Sequence, residues 1–184
     1  MSAPLPLSAG DKLIFHGSRV DFVLRPTVSA AGKPLTREVV LHPGAVIILP
    51  VLQDGRIVLI KNRRHTVHET LLELPAGTLE RDAAGVTEDP LACAVRELTE
   101  ETGYRAEKVA SFGWFYTSPG ILTEKMYAFI ATGLTAGDQA LEENEQIEVA
   151  VMAAEEALRL IRENRIVDAK TIATVLKYFV RRHA

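Results

Sequence analysis

The chain has 184 residues, of which 47% are hydrophobic and 24% charged, and its formal net charge is −3. This composition is typical of one soluble globular domain that is large enough to bury a substantial core. A single cysteine, Cys93, excludes an intramolecular disulfide. No basic block indicates nucleic-acid binding, no apolar run has the length of a membrane span, and the amino terminus does not look like a secretory signal. We therefore expect a cytoplasmic protein that binds neither nucleic acid nor a membrane.

The first 74 residues contain strand patterns and no clear helix. The run Ala45–Leu52 is almost continuously apolar, as in a strand that is buried on both faces. Gln53-Asp54-Gly55 then predicts a tight hairpin from which the next strand returns. The strands predicted up to this point are Lys12–Phe15, Arg19–Arg25, Leu35–Leu41, Ala45–Leu52 and Arg56–Lys61.

The segment Glu88–Tyr104 predicts a helix whose two ends are both marked. Asp89 stands at the N-cap position, Pro90 at the first helical position, and Gly103 where a helix ends in a left-handed residue. Apolar or small residues recur at spacings of three and four and predict one buried face. These residues are Leu91, Ala94, Val95, Leu98 and Thr102.

After this helix the sequence returns to strand patterns and ends in helical ones. Strands are predicted over Ala106–Tyr116, Lys125–Thr132 and Glu145–Met152, with a polar, acidic loop at 133–144. Helical spacing follows over Glu155–Asn164, and a last helix starts near Asp168. This mixture predicts an α/β or α+β sandwich with helices on both faces of a mixed sheet.

The central helix carries three carboxylates on one face. Glu97, Glu100 and Glu101 stand at positions i, i+3 and i+4, where like charges repel one another. Two interpretations remain from spacing: a solvated acidic face, or a site for a hard divalent cation such as Mg²⁺, which prefers carboxylate oxygens. Spacing alone favours the solvated face.

The residues themselves resemble a known signature. Glu88, followed after seven residues by Arg96-Glu97-Leu98-Thr99-Glu100-Glu101-Thr102-Gly103-Tyr104, resembles the Nudix hydrolase motif G-x5-E-x7-R-E-U-x-E-E-x-G-U, where U is aliphatic or aromatic. Every position from Glu88 onward matches. Ten residues rather than five separate Gly77 from Glu88, which predicts an enlarged loop at 81–87. The resemblance implies an α/β/α sandwich around a mixed sheet.

Further segments resemble the ADP-ribose pyrophosphatase branch of this family. They are Arg37–Val46 (R-E-V-V-L-H-P-G-A-V), Lys61–His65 (K-N-R-R-H), Glu73–Gly77 (E-L-P-A-G) and Ser118–Glu124 (S-P-G-I-L-T-E). The resemblance implies that substrate is contacted by Arg37, Glu38, Arg64, Ser118, Gly120 and Glu124. Taken alone, Arg64 reads equally as a surface cation, and Arg37 with Glu38 as a cross-strand pair on an exposed edge.

The resemblance also implies a reaction, in which the diphosphate of ADP-ribose is hydrolysed to AMP and ribose 5-phosphate. Mg²⁺, or Mn²⁺ in its place, is expected on Glu97, Glu100, Glu101, Glu145 and the backbone carbonyl of Ala76. Arg96 is expected to orient a signature glutamate, with Glu88 as its partner. A glutamate of the acidic loop, Glu143 or Glu145, is expected to act as general base.

The same resemblance implies an assembly. Residues 1–44 are expected to supply an additional antiparallel sheet that forms a homodimer, and residues 45–184 the hydrolase domain. Two alternatives remain for the activity: a Nudix hydrolase of another nucleoside diphosphate derivative, such as a nucleotide sugar or an oxidised nucleotide, and an inactive Nudix module that senses nucleotides.

Overall fold

The structure is a computed structural model that describes residues 4–82, 84–143 and 145–182. The described residues form ten strands and three helices. The strands are β1 (Lys12–His16), β2 (Asp21–Val28), β3 (Pro34–Leu41), β4 (Ala45–Pro50), β5 (Arg56–Arg64), β6 (Glu69–Glu73), β7 (Ala76–Thr78), β8 (Arg105–Tyr116), β9 (Lys125–Thr135) and β10 (Ile147–Ala153). The helices are α1 (Pro90–Thr102), α2 (Ala154–Arg162) and α3 (Ala169–Arg182). Ala83 of the predicted enlarged loop and Asn144 of the acidic loop lie outside the described residues.

Two sheets and three helices build the core. The mixed sheet has the order β7-β4-β9-β8, with β4 and β9 parallel, and the antiparallel sheet has the order β10-β5-β6. Every residue of β4 is buried, as its apolar run predicts. Ile47 and Leu49 of this strand belong to a core shared with α2 and α3, whereas Val46 and Ile48 pack with α1. The predicted α+β sandwich with a mixed sheet is confirmed.

The predicted hairpin between β4 and β5 is wrong in its pairing. A tight turn does form, with the Gly55 N–H donating to the Leu52 carbonyl at 2.9 Å. Beyond one bridge between Val51 and Ile57, the two strands separate into different sheets. Both strands are apolar on both faces, and each has two other neighbours: β7 and β9 flank β4, while β6 and β10 flank β5. The turn residues determine that the chain reverses direction, but the burial of apolar faces determines which strands pair.

Helix α1 has the predicted ends. The Asp89 side chain accepts hydrogen bonds from the N–H groups of Leu91 and Ala92, each at 3.0 Å. Pro90 is the first helical residue, and Gly103 closes the helix at φ +73°. The structure therefore confirms both caps.

The predicted buried face of α1 is only partly correct. Ala94 and Leu98 are buried, but Leu91 and Val95 are 44% and 48% exposed. Instead, the helix turns two of its glutamates towards the sheet, and Glu97 and Glu101 are 9% and 3% exposed. A search for apolar residues alone misses this rotation, because it treats each glutamate as a surface residue.

The amino-terminal strands form a separate antiparallel sheet of order β1-β2-β3, as the resemblance implies. Asp21, the first residue of β2, is 1% exposed. Its side chain accepts hydrogen bonds from the Leu5 N–H and from His16 Nδ1, both at 2.5 Å. Hydrogen bonds between Val40 of β3 and the segment 121–123 join this sheet to the rest of the chain. None of the helices among the described residues has the length and apolar character needed to cross a membrane.

Candidate active site

A cavity of about 920 Å³ lies along α1, between the two core sheets and the turn that joins β1 to β2. This volume lies within the usual range of small-molecule sites. Eight of the residues predicted from the sequence line it: Arg64, Ala76, Arg96, Glu97, Glu100, Glu101, Glu124 and Glu145. Segments far apart in the chain thus bring most of the predicted site together.

Five predicted residues lie elsewhere. Arg37, Glu38 and Gly120 line a separate, open cleft of about 300 Å³. Ser118 and Glu143 do not occur among the described residues that line either space. In the acidic loop, Glu142 faces the cavity together with Glu145, and its N–H donates to Glu145 Oε2 at 2.9 Å. No spacing rule in the sequence distinguishes Glu142 from Glu143.

Burial controls the charge state of the two inner carboxylates of α1. Desolvation raises the pKa of Glu97 to about 7 and that of Glu101 to about 8, and the negative charge of Glu145 adds to both shifts. Arg96 opposes the shift of Glu97, and a hydrogen bond from the Ala76 N–H to Glu101 Oε2, 2.8 Å long, opposes that of Glu101. Both groups therefore titrate near neutral pH and would be stabilised as anions by a bound cation.

The close approach of β7 to α1 depends on Gly77. A Cβ atom at this position would lie 1.9 Å from Glu97 Oε1, a distance that no side chain can occupy. Glycine here lets the strand backbone lie against the Glu97 carboxylate. The glycine of the E-L-P-A-G segment thus shapes the floor of the cavity.

Arg96 lies close to three acidic residues, and a fourth, Glu80, is 4.0 Å from its Nη2. Its Nη1 is 2.9 Å from both Glu97 Oε1 and Glu100 Oε2, and its Nη2 is 3.1 Å from Glu88 Oε2. The predicted contact with Glu88 is present, and it lowers the pKa of Glu88. The positive charge of Arg96 offsets part of the repulsion between Glu97 and Glu100.

The donor set fits a hard divalent cation in its chemistry, because Mg²⁺ and similar ions prefer carboxylate oxygens. Arg96 contacts one oxygen of Glu97 and one of Glu100, which leaves a second oxygen on each carboxylate. Among residues 4–82, 84–143 and 145–182, however, no three His, Cys, Asp or Glu side chains are already arranged around one point.

Glu124 also lines the cavity, and two neighbours hold its side chain. Thr117 Oγ1 donates to Glu124 Oε2 at 2.5 Å, and His42 Nε2 lies 3.5 Å from Glu124 Oε1. The Nδ1 atom of His42 accepts a hydrogen bond from the Gly44 N–H at 3.1 Å, and burial lowers the pKa of this histidine. Burial and the acceptor role of Nδ1 favour a neutral His42 with its proton on Nε2, although the charge of Glu124 opposes the lowering of the pKa.

The enlarged loop between β7 and α1 brings Arg81 to the cavity wall. Asp82 organises the loop, since its Oδ1 accepts hydrogen bonds from the N–H groups of Ala84 and Val86 at 2.9 and 2.8 Å. Arg81 Nη2 lies 3.3 Å from the carbonyl of Gly85 and 3.4 Å from that of Pro4. The sequence marks the extra length of this loop but does not mark Arg81 as a lining residue.

Comparison with known proteins agrees with this geometry. The family profile of the NUDIX domain matches residues 41–175. The chain is 39% identical over 160 residues to an ADP-ribose pyrophosphatase of Bacillus subtilis, covering 86% of this chain and 84% of that protein. It is 36% identical over 164 residues to a methanol dehydrogenase activator of Bacillus methanolicus, covering 88% of this chain and 86% of that protein.

A solved structure has the same fold. The crystal structure of an ADP compounds hydrolase superimposes with a TM-score of 0.77 and covers 97% of this chain and 94% of that protein. The two sequences are 16% identical, so the similarity concerns the arrangement of the backbone.

Proposed function

Because the chain belongs to the Nudix hydrolase family, we propose that it hydrolyses the diphosphate bond of ADP-ribose to AMP and ribose 5-phosphate. The single observation that carries this proposal is one cavity that contains the signature residues Arg96, Glu97, Glu100 and Glu101 together with Arg64. The relative from Bacillus subtilis, which bears the name of this activity, supports the choice of substrate.

Nudix ADP-ribose pyrophosphatases generally use a divalent metal ion. We propose Mg²⁺, with Mn²⁺ as a substitute, held by Glu97, Glu100, Glu101, Glu145 and the Ala76 carbonyl. When bound, this ion supplies positive charge to the diphosphate and lowers the pKa of a coordinated water.

The side chains of the cavity bind the diphosphate, hold the carboxylates and accept the proton. Arg64 binds the diphosphate, and Arg96 holds Glu97 and Glu100 in place. Glu145 lies at the cavity wall and takes a proton from the attacking water. The oxygen of that water then bonds to one phosphorus. The bond from that phosphorus to the bridging oxygen breaks, and the bridging oxygen leaves with the second phosphate. Glu143, which lies in an exposed turn, remains the alternative base.

The remaining predicted contacts lead to an assembly. Arg37, Glu38 and Gly120 line a cleft of their own, and we propose that they, with Ser118, meet substrate bound in a second copy of the chain. In this proposal residues 1–44 form the dimer sheet and residues 45–184 the hydrolase domain. Four large apolar side chains on the amino-terminal sheet are exposed and support an interface there: Ile14, Phe15, Val28 and Leu35. We also propose a cytoplasmic location, without nucleic-acid or membrane partners, from the composition.

One observation favours a second candidate. The contacts that the resemblance assigns to ADP-ribose, Arg37 and Glu38, are not supplied to the cavity by the same chain. If no second copy supplies them, a different nucleoside diphosphate derivative, such as a nucleotide sugar, becomes the better substrate. An oxidised nucleotide is a further possible substrate, and the hydrolysis assay should include it. The third alternative is an inactive module that senses nucleotides.

Product analysis tests the proposal. Purified protein should convert ADP-ribose to equal amounts of AMP and ribose 5-phosphate in the presence of Mg²⁺, and chelation should stop the reaction. Binding of ADP-ribose without any turnover at saturating Mg²⁺ or Mn²⁺ would contradict it and support the sensor.

A further inference from the structure

An ionic cluster around one fully buried carboxylate forms part of the cavity wall and joins three elements of the fold. Its four members are Arg64 at the end of β5, Glu73 at the end of β6, and Asp168 and Lys170 at the start of α3. We call these four residues the α3 ionic cluster. Neither the sequence signature nor the mechanism above gives a role to Asp168 or Lys170.

Glu73 is the centre of the α3 ionic cluster. It is fully buried and accepts hydrogen bonds from Arg64 Nε at 2.7 Å and from Arg64 Nη2 at 2.6 Å. Lys170 Nζ donates to the same oxygen as Arg64 Nη2, Glu73 Oε2, also at 2.6 Å. Two such short bonds to one atom keep the two cationic groups close together.

Asp168 fixes the second cation. Its Oδ1 accepts a hydrogen bond from Lys170 Nζ at 2.7 Å, while its Oδ2 caps α3 by accepting from the Thr171 N–H at 3.0 Å. An ammonium group has three N–H donors, and Glu73 and Asp168 take two of them. The Lys170 side chain is 15% exposed, and this residue lines the cavity.

A purely structural anchor does not need both cations. Helix α3 is already attached to the end of β6 by a hydrogen bond from the Leu74 N–H to Thr171 Oγ1 at 2.9 Å. One bidentate arginine would satisfy both oxygens of the buried Glu73 carboxylate. The cavity is otherwise rich in carboxylates, so a diphosphate that enters it needs cations that are not committed to the signature glutamates.

We propose that Lys170 is a phosphate-binding residue that acts as a pair with Arg64. Glu73 and Asp168 are the positioning residues that hold the pair at the cavity wall. The ligand class is the diphosphate of a nucleoside diphosphate derivative, bound through its non-bridging oxygens. This inference rests on the proposed function for the location of the diphosphate, but not for the identity of the nucleoside or sugar.

The test compares four variants with the wild type. Lys170→Met removes the charge, Lys170→Gln removes the charge but keeps a donor for Glu73, and Lys170→Arg keeps the charge. Lys61→Met is the matched control, because Lys61 lies on the same strand as Arg64. Its side chain forms an exposed ion pair with Glu148 of β10. Each variant is assayed for kcat and KM on ADP-ribose with Mg²⁺, and by calorimetry for binding of inorganic diphosphate in chelator.

We expect Lys170→Met and Lys170→Gln to raise KM, and the Kd for inorganic diphosphate, by about tenfold, because each loses one charged hydrogen bond to phosphate. The value of kcat should change less, Lys170→Arg should restore most of the affinity, and Lys61→Met should match the wild type. A merely structural role would lower the melting temperature and leave KM and Kd within about twofold of the wild type, and that result would overturn the inference. Should Lys170→Met fail to fold, Lys170→Gln carries the same test.

Failure of the proposed function has a different signature. If the wild type hydrolyses another nucleoside diphosphate derivative instead of ADP-ribose, the KM comparison is made on that substrate. If it hydrolyses none, the chelated binding of inorganic diphosphate still decides the role of Lys170. Loss of diphosphate affinity in the Lys170 variants would then support this inference while the proposed reaction is abandoned.

Discussion

At the scale of single residues, burial makes Glu97 and Glu101 different from the other acidic residues of α1. Glu100 keeps a partly exposed side chain, whereas Glu97 and Glu101 face the sheet. Burial of a carboxylate is unfavourable unless a proton, a hydrogen-bond donor or a cation compensates it. The molecule supplies Arg96 to Glu97 and the Ala76 N–H to Glu101. This partial compensation is what a metal-loaded state would complete.

Replacing either carboxylate by its amide tests the assignment. We expect Glu97→Gln or Glu101→Gln to reduce turnover by about 100-fold or more. Removal of a residue that only hydrogen-bonds to a metal ligand already lowers metal affinity or activity by about 10–100-fold. The fold should remain, because a neutral amide avoids the cost of a buried charge. The control is Glu155→Gln, on the exposed surface of α2. Near-normal rates in either α1 variant at saturating Mg²⁺ would remove that residue from the metal site.

The raised pKa values predict a dependence of stability on pH. Glu97 and Glu101 have folded pKa values of about 7 and about 8, above the ordinary value of 4.5. The folded state therefore binds more protons than the unfolded state in this range. This contribution to the free energy of unfolding is full below about pH 4.5 and is lost as pH rises through 7 and 8. Mg²⁺ should restore stability at the alkaline end, because it binds the ionised form.

Thermal unfolding in chelator from about pH 5 to about pH 8, followed by circular dichroism, checks this prediction. The melting temperature should fall by several degrees more in the wild type than in Glu101→Gln, which cannot ionise at this position. Equal pH profiles for the two proteins would show that Glu101 does not titrate in this range.

The sequence indicates the chemical groups of the site but not their environment. The spacing of Glu97, Glu100 and Glu101 was readable, but the solvated face that spacing favours is wrong for Glu97 and Glu101. The signal for the rotation of the helix is Gly77, where any Cβ atom would overlap Glu97. This contact joins β7 to α1, and the spacing of residues in the sequence does not indicate that the two elements lie so close together.

At the scale of elements, the capping of α1 links local sequence to the site. Asp89 holds the first turn of the helix that carries Arg96 and all three signature glutamates. We expect Asp89→Ala to lower the free energy of unfolding by about 1 kcal/mol, because two backbone N–H groups lose their acceptor. Denaturant unfolding measures the change, and Asp89→Ser, which can also cap a helix, should recover most of it. Equal losses for alanine and serine would mean that the cap hydrogen bonds are not the source.

Elements with local signals were predicted well, and those decided by tertiary contacts were not. The bounds of α1 can be predicted from the sequence, because Asp89, Pro90 and Gly103 mark its ends within one short segment. The turn at Gly55 was equally clear, but the partners of β4 and β5 depend on sheets assembled from distant strands. The contact of Lys170 with Glu73 spans 97 positions in the chain, and no periodicity could have indicated it.

At the scale of the whole molecule, the separate cleft of Arg37 and Glu38 makes the proposed dimer testable. Phe15 on β1 is 62% exposed, and we expect Phe15→Glu to halve the apparent mass in light scattering and to raise KM. The matched control is Val180→Glu, on α3 at a site that is 70% exposed. A wild type that is already monomeric and fully active would refute both the dimer and the role of Arg37 and Glu38 in a neighbouring active site.

One hydrolysis assay over a panel of substrates tests most directly whether the chain is a metal-dependent hydrolase of ADP-ribose. The panel contains ADP-ribose, GDP-mannose, UDP-glucose, diadenosine polyphosphates and 8-oxo-dGTP, each with Mg²⁺ and with chelator. We expect the highest kcat/KM for ADP-ribose and no turnover of any compound in chelator, because the carboxylates of α1 act through a divalent ion. Turnover that persists in chelator, or no turnover of any compound with Mg²⁺ or Mn²⁺, would contradict this expectation.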